Sequence, residues 1–160
     1  MTTAKKTAQK TTTRTTTKKA ATSGFSDAEK AAMKERAAET RASGKGGRKK
    51  ADDLEAVLGK IAEMSQPDRG LAERIHAIVT TVAPDLDPKT WYGMPAYARD
   101  GKVLCFFQPA EKFEARYATF GFNDLATLDD GTVWPTAYAV TELTDADEKL
   151  FEKLVKKAVG

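Results

Sequence analysis

Among side chains that do covalent chemistry, this chain offers one cysteine, Cys105, and one histidine, His76. A cysteine nucleophile needs a base beside it and surroundings that favour the thiolate. Cys105 instead lies within Val103-Leu-Cys-Phe-Phe107, an apolar run that reads as a strand interior and raises a thiol pKa. His76 falls at the flank of a helical apolar stripe, the place of a half-buried core-edge residue. No activated nucleophile is expected, and one thiol with one imidazole is too few for a closed transition-metal site. The chain reads as non-enzymatic.

Carboxylates are the remaining metal chemistry. They gather at Asp52/Asp53/Glu55, Asp85/Asp87, Asp129/Asp130 and Glu142/Asp145/Asp147/Glu148. Asp52, Asp53, Asp145, Asp147 and Glu148 stand where helices begin, and capping explains them. Asp85 and Asp87, in a loop between Pro84 and Pro88, have the least structural purpose and are the candidate hard-oxygen ligands. A second feature is the aromatic cluster Trp91-Tyr-Gly-Met-Pro-Ala-Tyr97. Trp91, Tyr92 and Met94, closed over by Trp134, would line a ligand cleft, since large amphipathic rings bury area while keeping a polar handle. The same residues would serve equally as the rim of a core, with Gly93 allowing a turn before Pro95.

Charge divides the chain. Residues 1–51 carry 14 basic and 4 acidic side chains and residues 52–160 carry 12 and 19, so a total of +3 hides a basic segment joined to an acidic one. Lys5, Lys6, Lys10, Arg14, Lys18, Lys19, Lys45, Arg48, Lys49 and Lys50 are candidate contacts to nucleic acid or another polyanion. With Phe25 the only aromatic among residues 1–51, this would be salt-sensitive phosphate neutralisation rather than base readout.

These residues need elements to place them. Residues 1–25, rich in Thr, Ala and Lys, lack the apolar area to offset the entropy of ordering and read as a disordered arm. Ser26-Asp-Ala-Glu29 is a capping box opening an alanine-rich helix. Met33 is the helix's only large apolar residue, so it is expected to be solvated or to dock through Phe25 and Met33. Ser43-Gly-Lys-Gly-Gly-Arg-Lys-Lys50 reads as a flexible linker, so residues 26–51 form a weak helix and linker ahead of a domain at 52–160.

From Asp52 the apolar spacing is helical (Leu54, Val57, Leu58, Ile61), and a second stripe of Leu71, Ile75, Ile78, Val79 and Val82 ends at Pro84. Beyond Pro88 the period becomes two. Asp100-Gly101 signals a type I′ hairpin joining strands near 94–99 and 102–107, with further strands near 116–122 and 137–141. A last helix, capped by Thr144, turns Leu150, Phe151, Leu154, Val155 and Ala158 inward. The expected fold is α+β: an antiparallel sheet of four or five strands packed with two N-terminal-side helices and one C-terminal helix.

Trp91-Tyr-Gly-Met-Pro-Ala-Tyr97 with the following hairpin and Lys102-Val-Leu-Cys-Phe-Phe107, and Trp134-Pro-Thr-Ala-Tyr-Ala-Val-Thr-Glu-Leu143 with the closing Lys-rich helix, resemble the YdhG-like domain family over roughly residues 53–159. The resemblance implies a compact intracellular α+β domain. Some members of that family are described as frataxin-like iron chaperones, so iron binding and delivery is the implied function; no catalytic residues come with it. The alternative is a small-molecule or peptide binding module with an aromatic cleft, tethered to nucleic acid by the basic arm. No apolar run approaches the roughly 20 residues that span a bilayer, and the single cysteine suits a reducing cytoplasm.

Overall fold

The computed structural model describes residues 24–44 and 50–160. Apart from its last two residues, the arm expected over 1–25 lies outside the described residues. So do the proposed polyanion contacts Lys5, Lys6, Lys10, Arg14, Lys18, Lys19, Lys45, Arg48 and Lys49. In chain order the elements are α1 (Asp27–Gly44), α2 (Lys50–Glu63), α3 (Asp68–Val82), β1 (Asp87–Trp91), β2 (Met94–Arg99), β3 (Lys102–Gln108), β4 (Ala118–Phe122), β5 (Ala137–Val140) and α4 (Asp145–Val159). The strands form one sheet ordered β1-β2-β3-β4-β5, each antiparallel to the next, so the fold is α+β.

Period-two patterning decides which face of this sheet meets the helices. Tyr97 stands opposite Cys105, Cys105 opposite Phe122, and Phe107 opposite Phe120. These aromatic and thiol side chains share a core with Val57 and Ile61 of α2, Leu71, Ile75 and Val79 of α3, and Phe151, Val155 and Ala158 of α4. The Phe120 ring lies 4.9 Å from both Phe122 and Phe151, so β4 is bound to α4 by aromatic edges as well as by area. Burying each such side chain contributes about 1.5–3 kcal/mol.

Polar contacts then fix the helix ends. Thr144 and Asp147 form a reciprocal capping box at the start of α4. Arg74 of α3 donates to Glu148 of α4 at 2.6 Å and to the Leu143 carbonyl at 2.5 Å. Arg69 takes the Ala62 and Met64 carbonyls, both at 2.8 Å, which would otherwise end α2 unsatisfied.

Two findings differ from expectation. A strand, β1, precedes Trp91 where the sequence suggested a loop: Pro88 disguises it, yet proline is tolerated in a strand at the sheet edge. The helix α1, largely exposed as expected, is also not held by Phe25 and Met33, which are 52% and 40% exposed. Its cap forms as read, with Ser26 Oγ accepting from the Glu29 N–H at 3.1 Å and Glu29 from the Ser26 N–H at 2.7 Å. It docks instead by burying Ala32 and extending carboxylates toward the first hairpin. No described helix is long and apolar enough to cross a membrane.

Cys105 is fully buried and burial pushes its thiol far above the usual range. Beside it, the buried Tyr97 hydroxyl lies 2.9 Å from His76 Nδ1. Burial holds the His76 imidazole below its ordinary value. The fold thus favours neutral imidazole, and on acidification the unfolded chain takes up the proton first. The resulting stability is present above the unfolded value of about 6.5 and is lost as pH falls through the folded one. Denaturant unfolding between about pH 7.5 and pH 5.5 should show wild type losing stability while His76→Gln stays nearly flat; parallel slopes would remove His76 as the cause.

Candidate binding site at the first hairpin

The β1–β2 connection is two residues long, and both sit in the left-handed region: Tyr92 at φ 53° and Gly93 at φ 71°. That is the type I′ geometry, which leaves successive N–H groups to converge on one acceptor. The acceptor is Glu39 of α1. Its two oxygens take the Tyr92 N–H at 3.0 Å and the Gly93 N–H at 2.8 Å. One turn earlier, Glu35 accepts from Lys60 of α2 at 3.0 Å and from Lys112 of the β3–β4 connection. Lys112 also donates to the Tyr92 carbonyl at 3.3 Å. Two carboxylates of one helix therefore occupy two donor sites, one of neutral backbone N–H groups and one of ammonium groups.

Gly93 suits its positive φ, and a Cβ there would press on the far ends of the Glu35 and Lys112 side chains. Burial alone would raise the Glu35 pKa, but the hydrogen bonds and charges of Lys112 and Lys60 prevail and hold it below the usual carboxylate range. Below this triad opens a pocket of about 370 Å³ lined by Glu35, Lys60, Glu63, Asp68, Glu111 and Lys112. Asp68, only 4% exposed, accepts the Glu111 N–H there at 2.9 Å.

The opposite side of the turn is aromatic. Trp91 lies 5.2 Å from the Tyr92 ring, edge-on at 79°, and 5.1 Å from Phe106 at 58°. Both Trp91 and Phe106 point away from the helix-covered core, over the buried Ala96. Phe106 rests on Gly121, where a Cβ would come within 2.4 Å of its ring. A groove of about 460 Å³ runs along this face between Lys89 and Trp91 of β1 and Lys102 and Val103 of β3, reaching Asn123 and Asp124 at one end. Arg36 of α1 also lines it, its guanidinium 5.7 Å above the Tyr92 ring and its Nη1 3.4 Å from Glu39.

Trp91 and Tyr92 thus meet at this site, with the buried Met94 pairing across from Trp91. Trp134 does not join them. It packs against the core and lines a neighbouring depression with Asp129 and Thr132 that shares Asn123 and Asp124 with the Trp91 groove, while β2 and β3 stand between its loop and β1. The two tryptophans thus line adjoining depressions rather than one cleft. Asp85 is exposed, and Asp87 is paired with Lys50 at 3.0 Å, so one of the metal candidates and one of the polyanion candidates engage each other. Among the described residues no group of three or more His, Cys, Asp or Glu is placed to hold a metal ion.

Sequence reasoning missed Glu35, Glu39, Lys60 and Lys112. The available signal was Glu35 and Glu39 one turn apart in a helix with no apolar stripe. No family model, curated protein or solved structure matches the chain, so the resemblance to YdhG-like domains stands on the quoted residues alone.

Gly93 and Gly101 both have positive φ, but nothing lies within 4 Å of a Cβ built at Gly101. Gly101→Ala should then cost only the left-handed penalty, roughly 1–2 kcal/mol. Gly93→Ala should cost more and release α1, seen as lost amide-exchange protection over residues 27–44. Equal costs with α1 still protected would show that Glu35 and Lys112 give way freely.

Proposed function

We propose that this protein is a non-enzymatic binding module whose open sheet face takes a small aromatic or peptide ligand bearing negative charge, while its basic N-terminal segment contacts nucleic acid. The observation carrying this reading is the groove at Trp91: a half-buried indole braced edge-to-face by Tyr92, packed at a tilt against Phe106, and flanked by Arg36, Lys89 and Lys102. Braced rings present a stacking surface with little ordering cost, and three cations against Asp124 favour an anionic group beside it. Phe106, which supports the indole, is itself seated on Gly121 and paired across from the buried Ala96. Cys105 lies in the core on the other face of the sheet, with His76 bonded to the buried Tyr97 hydroxyl there.

Fluorescence titration with anilinonaphthalene sulfonate, an aromatic anion, separates the two indoles. Binding should persist in Trp134→Phe and weaken about tenfold in Trp91→Ala, a loss of about 1.4 kcal/mol, with cooperative unfolding retained in both. Deleting residues 1–23 should weaken retention on DNA and lower its salt dependence, and leave the titration unchanged. Equal affinity in Trp91→Ala would remove the groove as the site. Stoichiometric ferrous binding lost in Asp85→Asn/Asp87→Asn would instead favour the carboxylate iron carrier that the family resemblance implies.

A further inference from the structure

We infer that the first hairpin turn, together with Lys60 and Lys112, is a receptor for an acidic helix of a partner protein, and that α1 is its built-in, exchangeable occupant. This site lies on the other side of the turn from the Trp91 groove and does not depend on that groove binding anything.

The chemistry of the site is displayed by what fills it. One receptor half is the pair of converging N–H groups of Tyr92 and Gly93, which grips both oxygens of the Glu39 carboxylate. The other half is the Lys60 and Lys112 ammonium pair, which shares the two oxygens of Glu35. The halves are spaced to accept carboxylates four residues apart on a helix, one above the other on the same face. A phosphate or a single carboxylate would satisfy one half only. The specificity is therefore for the pattern Glu-x-x-x-Glu in helical form.

The occupant is weakly anchored apart from those two residues. Ala32 is its buried apolar side chain, while Phe25 and Met33 remain exposed. The Glu35 ion pairs are partly exposed, with Lys60 and Lys112 side chains at 30% and 26%. Contacts of this kind contribute modestly once side-chain ordering and screening are counted. A helix held so is retained chiefly because it is covalently attached, through the high effective concentration that a short linker gives. A partner helix that adds an apolar contact to the same two carboxylates would have the advantage over α1.

The test uses the full chain and a fluorescent peptide of residues 24–44 as the probe. Charge reversal, Glu35→Lys/Glu39→Lys, expels α1 from its own site while leaving Lys60, Lys112 and the turn intact. The acidic peptide should bind this variant more tightly than wild type by a factor on the order of a hundred, because the wild-type site is already filled. A peptide carrying the same two reversals should not bind, and Lys112→Ala in the variant background should weaken binding. If the double reversal fails to unfold cooperatively, Glu39→Ala alone serves, with a gain of about tenfold expected. Equal binding to wild type and variant, or equal binding of the acidic and reversed peptides, would overturn the receptor. A wild-type dimer in sedimentation that Glu35→Lys/Glu39→Lys converts to monomer would also overturn it as stated, by seating the α1 of a second copy in the site.

Discussion

Two consecutive residues in the left-handed region, Tyr92 and Gly93, govern how the rest of this protein is arranged around its first hairpin. A two-residue turn of that hand matches the right-handed twist of the strands it joins, so β1 and β2 pair in register from Trp91 and Met94 outward. The same geometry leaves two N–H groups unpaired within the ladder, and unpaired donors in a partly buried place must find an acceptor. Glu39 supplies it, and through Glu39 the turn sets where α1 lies.

Helices normally dock because an apolar stripe leaves water, which is how α2, α3 and α4 cover the sheet. The helix α1 docks by charge and hydrogen bonding with little area to add. Such docking is specific in direction and modest in strength: charge-assisted bonds are worth about 1.5–3 kcal/mol each against losing their water. The fold has a core that does not depend on α1, since the core cluster contains no residue of it. Position and strength of attachment are thereby separated, which is the condition for an element that moves without unfolding its support.

That separation also explains what could be read from the chain alone. The period-two runs and the Asp100-Gly101 turn gave β2 and β3 almost to the residue, and the stripes of α2, α3 and α4 were plain because burial selects their residues directly. Pro88 hid β1, since only its edge position makes a proline there acceptable. Glu35 and Glu39 showed only their spacing, for a different reason: a carboxylate on a polar helix looks the same whether it faces water or a backbone nest 53 residues away. Lys112 and Lys60 likewise carry no mark in sequence of the acid they share. Trp91 and Tyr92 were legible as a cluster, while their division from Trp134 followed only from strand order.

Arg36 links the two sides of the turn. It belongs to α1, leans over the Tyr92 ring, pairs with Glu39 and lines the groove beside Trp91. Any displacement of α1 therefore takes a cation out of the aromatic groove at the same moment that it empties the turn. An anionic ligand in the groove would in turn favour the arrangement with Arg36 present, and so hold α1 in place. Such coupling is reciprocal by thermodynamic necessity, whatever the two ligands are. Its size is bounded by what one partly exposed guanidinium contributes to the groove, on the order of 1 kcal/mol. That is enough to bias an element as loosely held as α1 and too little to disturb the sheet beneath it.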